Sequence, residues 1–366
     1  MRPFRLLAVL SLPLLLSACD SALLFPNGDI AARQRDMLLI ATGLMLIVIV
    51  PVIVMSLYIP WRYRASNKKA DYDADWNHST KLELVIWTVP LLIIIVLGAV
   101  TWVGTHLLDP FRPLDKVTAS QQVDLKQDPL EVQVVALNWK WLFIYPQYGV
   151  ATVNELAAPV NRPIQFDLTA DTVMNAFYIP TLAGMVYSMP GMETKLHAVI
   201  NKPGVYDGFA SQYNGAGFSD MSFKFYGQKK GDFEAWINNL KASKKTLDRA
   251  AYLDLAKPSQ DVPVTYYTSV DKSLFDRVVG MCVPKGKLCM QQIVDINQGK
   301  MDAGKTIDVN RLTHNTYDLD AYGHTLEAQG ATAPASNYKP HSDELKPDAG
   351  SNAGQGSVAP PQLHTN

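Results

Sequence analysis

The sequence predicts a two-helix membrane hairpin followed by an all-β sandwich, with small helical additions and a disordered C-terminal tail. Three observations carry this reading. Two long uncharged apolar runs fall within the first 108 positions; short runs of period two begin at residue 131; and large apolar groups become scarce after about residue 325. A chain of 366 residues, at about 150 per domain, allows two or three structural units. Net charge is 33 − 34 = −1, and no long block of like charge occurs, so a nucleic-acid partner held by bulk charge is excluded.

At the start, residues 1–18 carry Arg2 and Arg5, then an apolar run, then small residues directly before Cys19. This is the layout of a cleaved secretory signal, and the run is too short to span a bilayer. Leu16-Ser17-Ala18-Cys19 resembles a bacterial lipobox, which would make Cys19 the site of lipidation, with palmitate as one of the acyl chains. Several acyl chains hold a terminus at a membrane firmly, each buried methylene contributing about 0.8 kcal/mol. Residues 19–36 then form a periplasmic segment, with Asp20 resembling an inner-membrane retention signal.

Met37 to Ile59 and Leu84 to Thr105 lack any charge. At about 1.5 Å per residue each reaches roughly 33 Å, enough for a hydrocarbon core of about 30 Å. The expected spans are 37–59 and 84–107, kinked at Pro51 and Pro90. The loop 60–83 between them holds Arg62, Arg64, Lys68, Lys69 and Lys81, so by the positive-inside rule it is cytoplasmic. Both ends of the chain then face the periplasm. Trp61, Tyr63, Trp87 and Trp102 sit near the span ends, where amphipathic rings favour the headgroup zone.

From residue 131 the runs EVQVVAL, WKWLFIY, PIQFDLT, MNAFYIP, TKLHAVI, GVYDGFA and MSFKFYG read as strands of a compact antiparallel sandwich or Greek-key barrel over 125–230. Residues 231–290 read as a mostly helical extension: DFEAWINNLKA, LDRAAYLDLA and SLFDRVVGM have helical spacing, and VPVTYYTSV suits a strand. Residues 291–366 form the tail, largely disordered after 325. Cys282 and Cys289 flank VPKGKL, a segment able to fold back, and in an oxidising compartment they are a candidate disulfide; two free buried thiols are the alternative.

A membrane-anchored sandwich suggests a cupredoxin, whose copper needs thiolate and imidazole donors on its loops. Between residues 110 and 280 there is no Cys, and the sole His is His197. No C-x-x-C-H haem motif, G-x-S-x-G, P-loop or H-E-x-x-H occurs, so the chain alone shows no catalytic constellation and no metal site. Met174, Met185, Met189 and Met192 read as gap-fillers of a core, and His78 as a solvated side chain.

The chain resembles subunit II of the haem–copper terminal oxidases: K-L-E-L-V-I-W-T-V-P opens the second span (Lys81 to Pro90), N-W-K-W follows (Asn138 to Trp141), and then the cupredoxin-like domain. In cytochrome c-oxidising members the copper loop reads C-S-E-x-C-G-x-x-H-x-x-M. Here it reads A-S-Q-Y-N-G-A-G-F-S-D-M. Ala210 and Asn214 stand at the cysteine positions, Phe218 at one histidine position and Asn175 at the other; Met221 alone keeps its ligand type. That loss resembles the quinol-oxidising branch, of the cytochrome bo type, which shares the lipobox and phrases like FIYPQYGVATVNE.

The resemblance implies a subunit without a redox centre of its own, in a proton-transporting ubiquinol oxidase of the aerobic respiratory chain. Haems and copper are expected in subunit I, ubiquinol as the substrate of the complex, and subunit I, small subunits III and IV and the lipid bilayer as partners. It marks Glu83 as a proton-path candidate, and Trp139, Trp141 and Tyr145 as residues docking on subunit I. The implied location is the bacterial inner membrane, multi-pass, with an N-terminal lipid anchor. A copper-bearing cytochrome c oxidase subunit II and a free-standing ligand-binding membrane lipoprotein are the competing readings. Purification in mild detergent separates the last, which predicts a haem-free monomer.

Overall fold

A computed structural model describes residues 22–298 apart from 71, 72, 74, 119 and 124–127. The leader 1–18, Cys19 and the tail from 299 lie outside the described residues. Helix α1 runs Asp29–Arg62 and α2 Thr80–Leu107, and both are long and apolar enough to cross a membrane. α1 begins at Asp29, well before the uncharged run, because Asp29, Ile30 and Ala31 are buried against the sandwich. There Gly28 N–H donates to the Thr181 carbonyl (2.9 Å), Ala31 N–H to that of Leu182, and Asn201 N–H to that of Asn27. A Cβ at Gly28 would lie 2.7 Å from the Leu182 carbonyl oxygen, so this close approach needs glycine.

After the hairpin, β1 (Lys116–Thr118) and β2 (Gln121–Gln122) form a small ribbon. The sandwich follows: β3 (Leu130–Leu137), β4 (Lys140–Tyr145), β5 (Val150–Val153), β6 (Glu155–Pro159), β7 (Ile164–Ala170), β8 (Asn175–Tyr178), β9 (Val186–Ser188), β10 (Thr194–Ala198), β11 (Gly204–Ala210) and β12 (Ser222–Gln228). The extension holds α3 (Lys230–Lys241), β13 (Thr246–Leu247), α4 (Arg249–Leu255), β14 (Thr265–Tyr267), β15 (Ser269–Val270), α5 (Leu274–Val279) and α6 (Met290–Asn297).

One sheet has the order β10-β7-β3-β4-β5-β14 and the other β6-β12-β11-β8-β9. The sandwich is not wholly antiparallel, since β3 pairs parallel with β7 and β6 parallel with β12. Each parallel pair arises where the chain changes sheets: β6 leaves the first sheet after β5, and β7 returns to lie beside β3.

The six-stranded sheet is covered on both faces. Val132, Val134, Trp141, Phe143 and Tyr145 face the second sheet with Phe177, Phe223 and Phe225. Val135, Leu137, Leu142 and Ile144 face the extension, against Tyr252, Leu274, Phe275 and Val278. This three-layer arrangement explains why every residue of β4 is buried. Glu155 accepts from Trp236 Nε1 and from the Tyr266 hydroxyl, both at 2.9 Å, fastening α3 and β14 to β6. Cys282 and Cys289 form a disulfide within the extension.

Candidate functional site

The loop from Ser211 to Met221 joins β11 to β12 at one end of the sandwich, with a 3₁₀ turn over Phe218–Asp220. Ala210 N–H donates to the Met221 carbonyl (3.1 Å), which closes the loop at its base, and Ser211 N–H donates to Ala176 of β8. Asn175, Ala210 and Met221 are buried. The Asn214 side-chain amide donates to Asn175 Oδ1 and lies 2.9 Å from Met221 Sδ. Asn175 in turn donates to the Val173 carbonyl at 2.7 Å. Three of the positions singled out by sequence therefore converge. Phe218 instead turns its ring edge-on to Tyr213, 5.6 Å between centroids.

Trp139 braces this loop from beneath. It adopts φ 63° in the tight turn between β3 and β4, its Nε1–H donates to the Asn214 carbonyl (3.2 Å), and its ring lies against Gly215 and Gly217. A Cβ at Gly217 would come within 2.5 Å of the indole, so the contact requires a bare backbone there.

A pair of coppers would need thiolate and imidazole here, and the converging groups are two carboxamides and one thioether. The donor set does not fit a dinuclear copper centre. The amides bond to one another, so the loop keeps its shape through hydrogen bonds that need no metal.

Two expectations are corrected. Trp141 and Tyr145 are fully buried, so neither can dock on another subunit. Trp141 stands edge-on to Phe177 and Phe223 at 5.4 and 5.8 Å, and the Tyr145 hydroxyl donates to the Ala157 carbonyl (2.9 Å). Of the three rings only Trp139 retains accessible surface. Met174, Met185 and Met192 do not fill a core: they are 39%, 48% and 52% exposed. They stand on the connections around β8 and β9, beyond the interdigitating layer between the sheets.

Glu83 lies in the first turn of α2, and its backbone N–H bonds the Ser79 carbonyl at 2.9 Å. Its Oε1 is 2.7 Å from Nδ1 of His78. His78, though exposed, is therefore not simply solvated.

Sequence reasoning missed Lys140. This side chain is fully buried, and its Nζ donates to the Lys257 carbonyl at 2.8 Å and to Ser259 Oγ. Burial pushes its ammonium down to about 8, against the opposing pull of Asp171. Burial raises Asp171, whose carboxylate accepts from the Tyr252 hydroxyl at 2.8 Å. These groups fasten the extension to the turn that carries Trp139. The one sequence signal was a lysine set between two tryptophans.

Comparison with known proteins gives the family. The family model described as the cytochrome c oxidase subunit II periplasmic domain matches residues 147–225, and that of the COX aromatic rich motif matches residues 241–286. Cytochrome bo(3) ubiquinol oxidase subunit 2 of Pseudomonas putida is 49% identical over 278 residues, 76% of this chain and 85% of that one. The protein of the same name from Pseudomonas aeruginosa is 47% identical, over 76% and 82%. Ubiquinol oxidase subunit 2 of Acetobacter aceti is 42% identical, over 80% and 91%. At this identity and coverage the chain belongs to the ubiquinol oxidase subunit 2 family.

Proposed function

We propose that the chain is the non-haem subunit II of a proton-pumping oxidase of the inner membrane, which oxidises ubiquinol and reduces O₂ to water. The observation that carries this reading is the amide pair Asn175–Asn214 beside Met221, where a copper relay would need sulfur and imidazole. With no relay on this chain, each ubiquinol gives its two electrons directly to subunit I, which holds the haems and the copper. Subunit II then serves assembly, covers the periplasmic face and contributes to proton entry. Its partners in this reading are subunit I and the small subunits III and IV. Trp139 and the loop it braces offer the docking surface toward subunit I.

Two further parts belong to the same reading. Cys19 carries the lipid anchor, and the two helices cross the bilayer with loop 60–83 on the cytoplasmic side. Glu83, at the cytoplasmic start of α2, admits protons toward subunit I, since an ionisable group at a span usually marks a proton path or a site favoured by the helix dipole.

The test is Glu83→Ala in the assembled complex. Quinol oxidation and coupled proton uptake are expected to fall by about tenfold or more, as when a positioned acid or base is removed, with haem content unchanged. Turnover near that of the wild type would remove the assignment.

A further inference from the structure

His78 stands directly before Ser79, the N-cap of α2, and reaches over the first turn to Glu83. Its Nδ1 lies 2.7 Å from Glu83 Oε1, and its Nε2 lies 3.2 Å from Thr80 Oγ1. A ring engaged at both nitrogens is fixed in orientation, and the partner at one nitrogen governs the tautomer. The side chains of both His78 and Glu83 remain open to water, 62% and 45% exposed. The other described charges of the loop and the first turn, Arg62, Arg64, Lys68, Lys69, Asp73, Asp75 and Lys81, form no ion pair with either group. The pair is thus isolated from competing salt bridges among the described residues.

We propose that His78 is the proton-collecting partner of Glu83. In its protonated form the Nδ1–H bond breaks and an O–H bond forms on Glu83 Oε1, leaving neutral imidazole and a protonated carboxyl. Glu83 passes its proton on toward subunit I, and a hydrated proton from the same side reprotonates the ring, so no further co-reactant is required. Glu83 alone faces a supply limited by how often a hydrated proton arrives; an imidazole in hydrogen-bond contact gives the next proton a second site beside the acceptor. Thr80 holds the ring in the transferring orientation. The proposal rests on the reading of Glu83 as a proton entry point.

The experiment compares wild type, His78→Gln and Glu83→Ala in the membrane-embedded complex, with steady-state ubiquinol oxidation followed between about pH 5 and 8, where an imidazole changes charge. Gln keeps a hydrogen-bonding group at position 78 but cannot carry the proton. His78→Gln is expected to lower kcat and to lose a pH-dependent step of the wild-type profile, with KM for ubiquinol and haem content unchanged. A His78→Gln profile that superimposes on wild type while Glu83→Ala is slow overturns the role of His78 alone. Wild-type turnover in Glu83→Ala overturns both assignments, because the acceptor is then idle. A loss confined to haem content or to KM marks His78 as structural and also overturns the proposal.

Discussion

The sandwich and the helix hairpin use apolar residues in opposite ways. In the sandwich, Trp141, Phe143, Phe166, Phe177 and Phe225 have no accessible surface, so its main driving force is satisfied within the chain. In the hairpin, Leu84 and Trp87 are 68% and 77% exposed, and the apolar windows of both helices have no buried residue. A bilayer or other helices must cover that surface. The sandwich has its own core, whereas the hairpin is completed by its surroundings. That asymmetry suits a subunit of a larger membrane complex.

The largest effect should come from the self-contained core. Phe223→Ala removes a ring stacked on Phe177 at 5.5 Å and edge-on to Trp141, and should cost about 3–5 kcal/mol in urea unfolding of the purified protein. Leu84→Ala, on the open face of α2, should shift the same transition by less than about 0.5 kcal/mol. Equal effects at the two positions would break the contrast.

A smaller effect sharpens it, since among the described residues the one buried lysine, Lys140, lies in the sandwich. Lys140 has its pKa lowered from the ordinary 10.5 to about 8, so between these values the unfolded chain binds more protons than the folded one. Stability therefore rises with pH across that window. The unfolding midpoint of wild type should climb relative to Lys140→Met from about pH 8 upward, whereas parallel curves would show that the ammonium is not desolvated.

The seven β-runs at 131–227 were legible because alternation or β-branched density survives in each, and all seven contain strands. β5 and β6 escaped notice for a physical reason. Both are buried at every position, so Val150–Val153 and Glu155–Pro159 show no alternation, and Asn154 and Glu155 look like loop residues. The missing copper ligands were readable from residue types alone. Their replacement by an amide bond was not, because Asn175 and Asn214 meet only when β8 and the β11–β12 loop are brought together. Lys140 was hidden likewise, since the carbonyl that receives it lies 117 residues away. The burial of Trp141 and Tyr145 follows from β4 being a central strand between two cores, a property of sheet order rather than of local sequence.

The central claim is that electrons reach the neighbouring subunit without a copper relay on this chain. The most direct measurement is oxygen consumption by the purified complex, assayed in parallel with ubiquinol and with reduced cytochrome c, together with the copper content of the subunit. The account predicts rapid turnover with ubiquinol, none with cytochrome c, and no stoichiometric copper in the sandwich. Cytochrome c oxidation with copper bound at the loop of Asn214 and Met221 would contradict it.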